Sequence, residues 1–145
     1  IITNPHRSVA LGAQRAGGAD GVVIWDYHVV LCVRNRDWMV YDLDCTAGLP
    51  LTLNAWMTHS FGLFRQLPPQ FTPLFRPMPG HLYHRVFSSD RHHMIDESGC
   101  WIHPPPSWPQ IGTGHTLSTL IDIDDPTYGS VIDLPGLKAK LGKRP

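Results

Sequence analysis

The chain has 145 residues, 42% of them hydrophobic, which suits one folded domain with its own core and excludes wholesale disorder. Its 12 Lys and Arg balance 12 Asp and Glu, which removes the electrostatic basis for general binding to nucleic acid or an anionic membrane. No apolar run approaches the ~18–20 residues that span a bilayer, while 13 Gly and 14 Pro call for much irregular backbone.

Residues 1–20 are polar and Gly-rich and read as a lead-in segment with one short helical turn around Ser8–Arg15. Residues 21–145 then form a single α+β domain. GVVIWDYHVVLCV (21–33) is dense in β-branched and aromatic residues, as a buried strand requires. Arg34 to Asp37 break the pattern, and WMVYDLD (38–44) follows as a second strand, so the two make an antiparallel hairpin. Thr52 is placed to cap a helix over TLNAWMTHSF, with Leu53, Trp56 and Met57 on its apolar side. Five prolines in residues 66–80 permit only brief extended pieces. HLYHRVF (81–87) is a short helix, and residues 88–115 are a long irregular loop with polyproline II at Pro104-Pro105-Pro106. HTLSTLIDI is another short helix, YGSVIDL a last strand, and LPGLKAKLG a terminal helix with Pro135 in its first turn. Loops this long inside a domain tend to carry function.

Centring the hairpin on Asn35 opposes residues whose numbers sum to 70, so His28 faces Asp42, Val30 faces Val40 and Cys32 faces Trp38. Opposed side chains on one face have Cβ atoms ~4.5–5.5 Å apart, within reach of a hydrogen bond that fixes an imidazole's tautomer and stabilises its charged form. The same register sets Asp26 against Asp44, a like-charge pair, and assigns the core to Tyr27, Val29, Leu31, Met39, Tyr41 and Leu43. A half-buried strand histidine with a convenient partner is the plain alternative.

A His–Asp pair needs a nucleophile to become a triad, and the three cysteines do not supply one convincingly. Cys32 lies ~13 Å from His28 along the same strand. Cys45 sits beyond the second strand, and Cys100 lies in the long loop. An odd, sparse set of cysteines indicates reduced thiols in a cytoplasmic or nuclear setting. Nine histidines raise the question of a metal, but His81 with His84, and His92 with His93, match no established zinc spacing. No metal or cofactor is expected.

The residues Trp25-Asp26-Tyr27-His28-Val29 resemble the WDYHV motif of the protein N-terminal glutamine amidohydrolases. Tyr41-Asp42-Leu43-Asp44, Ser88-Ser89-Asp90-Arg91-His92-His93-Met94, and Trp101 followed by Pro104-Pro105-Pro106 resemble further segments of that family, in the same order. The resemblance implies an α-β-α sandwich with an antiparallel sheet and a papain- or transglutaminase-like Cys-His-Asp core. It implies a monomeric thiol amidase that converts N-terminal Gln to Glu, releasing ammonia and feeding the N-degron route. By that resemblance His28 is the acid/base and Asp42 its orienter, with proteins or peptides bearing N-terminal Gln as partners. Trp25, Asp90 and Arg91 are candidate substrate contacts. The family's nucleophile segment precedes its WDYHV motif, and nothing in residues 1–24 matches it. The expectation is a chain lacking an N-terminal portion and inactive alone. The alternative is a non-catalytic module that binds N-terminal Gln, or a proline-rich partner through the proline segments with Trp101 and Trp108.

Overall fold

A computed structural model describes residues 1–62 and 67–142. The architecture is α+β, with small antiparallel sheets and short helices around one apolar core. β1 (Ile2–Thr3) pairs with β7 (Leu74–Phe75), and β2 (Val9–Leu11) pairs with β3 (Val23–Trp25). β4 (Leu31–Arg34), β5 (Trp38–Tyr41) and β6 (Leu51–Thr52) form a three-stranded sheet in that order. The helices are α1 (Leu53–Phe61), α2 (Gly80–Val86), α3 (Leu117–Ile121) and α4 (Leu134–Gly142). No described helix is long and apolar enough to cross a membrane.

The segment before Gly21 is structural, not a lead-in loop. In place of a helical turn around Ser8–Arg15, β2 is extended, and Ile2, Val9 and Leu11 are among the most buried side chains. Val-Ala-Leu is a short all-apolar run, and such a run suits a strand covered on both faces as well as a helical turn. Asn4 explains the turn between β1 and β2. Its Oδ1 accepts from the backbone N–H groups of His6 and Ser8, and its Nδ2 donates to the carbonyls of Ser8, Gln70 and Thr72.

The expected long strand over 21–33 divides into β3 and β4, and residues 26–30 leave the ladder between them. The hairpin register also differs. Cys32 pairs with Val40, Val33 with Met39 and Arg34 with Trp38, so paired numbers sum to 72 around a three-residue loop at Asn35-Arg36-Asp37. The backbone of His28 bonds instead to Ile2, through Ile2 N–H to the His28 carbonyl (2.7 Å) and His28 N–H to the Ile2 carbonyl (2.9 Å). No opposition of Asp26 to Asp44 arises. The Asp44 carboxylate accepts from the Ala16 N–H, and its carbonyl from the Arg15 N–H.

The buried face of the hairpin is the reverse of the expected one. Val40 and Asp42 are each 1% exposed, whereas Leu31 is 55% and Leu43 77% exposed. Helix α1 forms as its sequence indicates. Thr52 Oγ1 caps it by accepting from the Ala55 N–H, and Trp56, Met57 and Phe61 enter the core. In the proline-rich segment, Gln66 lies outside the described residues. Pro69–Phe71 makes a 3-10 turn, and β7 is the one strand. The expected strand over 128–134 reduces to a single bridge between Ile132 and Phe75. Arg76, fully buried, holds the nearby loops by donating to the carbonyls of Gly129 and Asp122.

The inverted hairpin face gives a direct test. Val40→Ala, on the buried face, is expected to cost about 1–3 kcal/mol, as for a core truncation, and Leu31→Ala, on the exposed face, within about 0.5 kcal/mol. Urea denaturation of both variants checks this, and a larger loss at Leu31 would restore the opposite assignment of faces.

Candidate active site

Asp42 follows β5 directly and is almost wholly buried. A carboxylate out of contact with water must be paired and fully hydrogen-bonded, and four groups converge on this one. His28 Nε2 stands 2.8 Å from Oδ1, and the Asp44 N–H donates to the same oxygen at 3.2 Å. The Trp56 indole N–H donates to Oδ2 at 3.0 Å, and Gln14 Nε2 approaches it at 3.5 Å. Burial by itself would push the Asp42 carboxyl up. The hydrogen bonds from His28 and Trp56, the His28 charge and the Asp44 N–H outweigh it and hold the group below the usual carboxylate range.

The support closes into a ring. Gln14, also buried, turns its Oε1 to accept from the Trp25 indole N–H at 3.1 Å. The Trp25 ring in turn stacks on His28 with centroids 5.2 Å apart and planes 26° from parallel. The imidazole is thereby fixed on one face by an aromatic ring and at Nε2 by a carboxylate. Its other nitrogen, Nδ1, has no hydrogen-bond partner among the described residues. With a proton on Nε2 directed at Asp42, Nδ1 is the nitrogen available to take or give a proton.

His28 and Trp25 line a cleft of about 620 Å³ together with Ile24, Asp26, Tyr27, Val29, Tyr83, Phe87 and Leu117. Tyr83, in the middle of α2, and Phe87, just beyond its end, stack with centroids 5.0 Å apart. Leu117 is held beside them through Thr116. The Thr116 hydroxyl donates to the Val86 carbonyl (2.9 Å) and accepts from the Ser88 N–H (2.9 Å). Burial, then the charge of Asp26, pushes the Tyr27 phenol up, and burial, then Tyr27, does the same to Tyr83.

The structure therefore brings Trp25, His28 and Asp42 together, but not Asp90 and Arg91, which do not line this cleft. Arg91 adopts a left-handed backbone (φ 63°) and donates to the carbonyls of Pro106 (3.2 Å), Trp108 (2.6 Å) and Pro109 (3.0 Å). The Asp90 carboxylate bonds the ring and backbone N–H of His92, and the His92 hydrogen bond is the main reason its pKa is lowered. No cysteine lines the cleft either. Cys45 is in the core, Cys100 is exposed in its loop, and burial pushes the Cys32 thiol up.

Gln14 and Trp56 are site residues that sequence reasoning missed. Trp56 was readable as apolar packing, and its indole N–H is what it adds here. Nothing in the local pattern marks Gln14, which stands three residues past β2 and reaches Asp42 only through the tertiary fold. His93 and His115 also come together, with ring centroids 4.4 Å apart. Among the described residues, no group of three or more His, Cys, Asp and Glu is arranged to hold a metal ion.

Residues 1–141 match the family described as N-terminal glutamine amidase. The chain belongs to that family. It is 37% identical over 141 residues to the protein N-terminal glutamine amidohydrolase of Bos taurus, covering 93% of this chain and 68% of that protein. It is 42% and 41% identical over 126 residues to the proteins of the same name in Drosophila mojavensis and Drosophila melanogaster, covering 84% of this chain and 61% of each. The chain thus spans about two thirds of the length of these relatives. The amidase-family match begins at residue 1, in keeping with the core position of β1 and β2.

The Asp42 network predicts a particular acid response. Because its folded pKa is depressed, its contribution to stability is complete above the ordinary carboxylate value and is lost as pH falls through the lower folded value. Trp56→Phe removes one donor from a buried oxygen, so it is expected to cost about 1–3 kcal/mol at neutral pH. It also raises the folded pKa toward the unfolded value, so the loss of stability on acidification is smaller and ends at higher pH than in the parent chain. Urea midpoints measured from neutral to acid pH check both effects, and superimposable pH profiles would exclude the indole as a determinant of Asp42 ionisation.

Proposed function

We propose that this chain carries the substrate cleft and the acid/base half of a thiol amidase acting on the N-terminal Gln of proteins and peptides. The reading rests on the 2.8 Å contact between His28 and Asp42 beside an aromatic cleft, in a member of the N-terminal glutamine amidase family. In this mechanism a thiolate attacks the side-chain amide carbon, and imidazolium His28 gives its proton to the departing ammonia. Water then attacks the thioester, with His28 accepting its proton, and the thiolate leaves to free N-terminal Glu. Proton transfer by a positioned side chain such as His28 is worth about 10²–10⁴-fold, and Asp42 orients the imidazole and stabilises its charged form through both steps.

The arrangement of α1 packed on β2, β5 and β6 suits a papain- or transglutaminase-like core within an α-β-α sandwich. The family reading carries with it a monomer in the cytoplasm and nucleus whose product enters the N-degron route. The thiol the reaction requires is not among Cys32, Cys45 and Cys100, because none of them lines the cleft. That same observation favours a second reading, in which this chain by itself binds N-terminal Gln without turning it over.

Two measurements on the 145-residue chain test these statements. Calorimetry is expected to give tighter binding of a Gln-starting peptide than of its Glu-starting counterpart, and equal binding of both would remove Gln as the substrate class. An ammonia assay with the Gln-starting peptide is expected to show no release. Turnover abolished by replacing any one of the three cysteines would instead assign that cysteine as nucleophile.

A further inference from the structure

We propose that Asp26 is the residue that recognises the free α-ammonium group of the substrate, and so restricts the cleft to chain N-termini. The inference rests on the amidohydrolase reading and adds to it the group that distinguishes a terminal Gln from an internal one.

The cleft wall is apolar or aromatic at Ile24, Trp25, Val29, Phe87 and Leu117, with the two phenols of Tyr27 and Tyr83. The chargeable side chains in the usual range of pH are His28 and Asp26. His28 is committed to Asp42. Asp26 is exposed and, among the described residues, its carboxylate makes no side-chain hydrogen bond, while the ion pairs are His28 with Asp42 and His92 with Asp90. A carboxylate left without a partner beside aromatic rings is suited to a cation, because it supplies the countercharge and the rings supply cation–π attraction. Asp26 adjoins Tyr27, whose phenol is pushed up first by burial and then by the Asp26 charge.

Position agrees with this role. The ammonium nitrogen and the side-chain amide carbon of a Gln residue are four bonds apart, about 4–5 Å at ordinary bond lengths. A group that holds the ammonium must therefore stand close to the group that protonates the leaving nitrogen. Asp26, at a bend just past β3, and His28 are two residues apart in the chain, so their Cα atoms stand within about 7 Å of each other, and both line the one cleft. An internal Gln offers an amide N–H where the terminal residue offers a positive charge, so it forfeits the ion pair. Asp90, the other carboxylate considered for this task, bonds His92 away from the cleft.

The test is calorimetry of the 145-residue chain, and of its Asp26→Asn variant, with four peptides that share all later residues. They begin with Gln or with Ala, each with a free or an acetylated amino group. The parent chain is expected to bind the free-amine Gln peptide about 10- to 100-fold tighter than the acetylated one, as for a hydrogen-bonded charge pair. D26N is expected to erase that difference by weakening the free-amine peptide alone. Raising the pH through the α-amino pKa, about 7.7–8.0, should weaken binding to the parent chain and leave D26N unaffected. Equal binding of free and acetylated peptides by the parent chain, including binding of neither, overturns the proposal, as does a D26N variant that still discriminates between them. Dependence on the amine without preference for Gln over Ala would uphold Asp26 and reject Gln as the substrate. Preference for Gln without dependence on the amine would do the reverse.

Discussion

The arrangement of the site depends on a buried negative charge that has to be neutralised. Asp42 is 1% exposed, and a carboxylate so placed is costly unless each oxygen is engaged. The partners that engage it come from four separate stretches of chain: His28 from the segment between β3 and β4, Trp56 from α1, Gln14 from the turn after β2, and the Asp44 backbone beyond β5. Each fixes its element relative to β5, so the network that orients the imidazole also docks the helix on the sheet. Removing any single donor strains both functions, because the remaining oxygen lone pairs have no water to turn to.

The His28–Asp42 contact was legible in the sequence, but the geometry that produces it was not. Pairing by a sum of 70 places the two residues opposite each other, whereas the observed sum of 72 would set His28 against Asp44 if the strand continued. The strand does not continue. Residues 26–30 leave the hairpin, and His28 bonds to the backbone of Ile2, a residue that reads as part of a polar lead-in. A contact made across 26 residues of chain is invisible to local pairing rules, which know only the hairpin and its turn. The right partners thus emerge from alternation of side chains, since a slip of two residues keeps every side chain on its face.

That alternation did not disclose which face was buried. Val29, Leu31, Met39, Tyr41 and Leu43 are at least as apolar as His28, Val30, Cys32, Val40 and Asp42, so hydrophobicity points to the first set. The fold buries much of the second. A rule that sends apolar side chains inward assumes that the polar ones have no task inside, and it fails where a buried ion pair is the task. Helix α1 was easier, because its cap, its length and its apolar side are all local properties. The same locality hid the second role of Trp56, since an indole contributes a large apolar surface and a single donor, and only the tertiary structure shows what accepts from it.

Arg91 shows how the proline content of the chain is put to use. Proline has no N–H, so a run such as Pro104-Pro105-Pro106 cannot join a ladder, and it leaves carbonyls nearby that need donors from elsewhere. Arg91 gives donors to Pro106, Trp108 and Pro109 from a single guanidinium, and its left-handed backbone is the turn that brings it there. Gln110 adds a bond back to the Asp90 carbonyl (2.7 Å), and the Ser89 N–H reaches the Ile111 carbonyl (2.7 Å). The loop is thereby closed on the stretch that begins one residue after Phe87, the aromatic wall of the cleft. An arginine beside an aspartate in a loop invites a reading as substrate contacts, yet here the guanidinium serves the backbone. Its donors order the loop, Ser88 in turn bonds Thr116, and Thr116 lies between the loop and the Phe87 and Leu117 part of the cleft that His28 also lines.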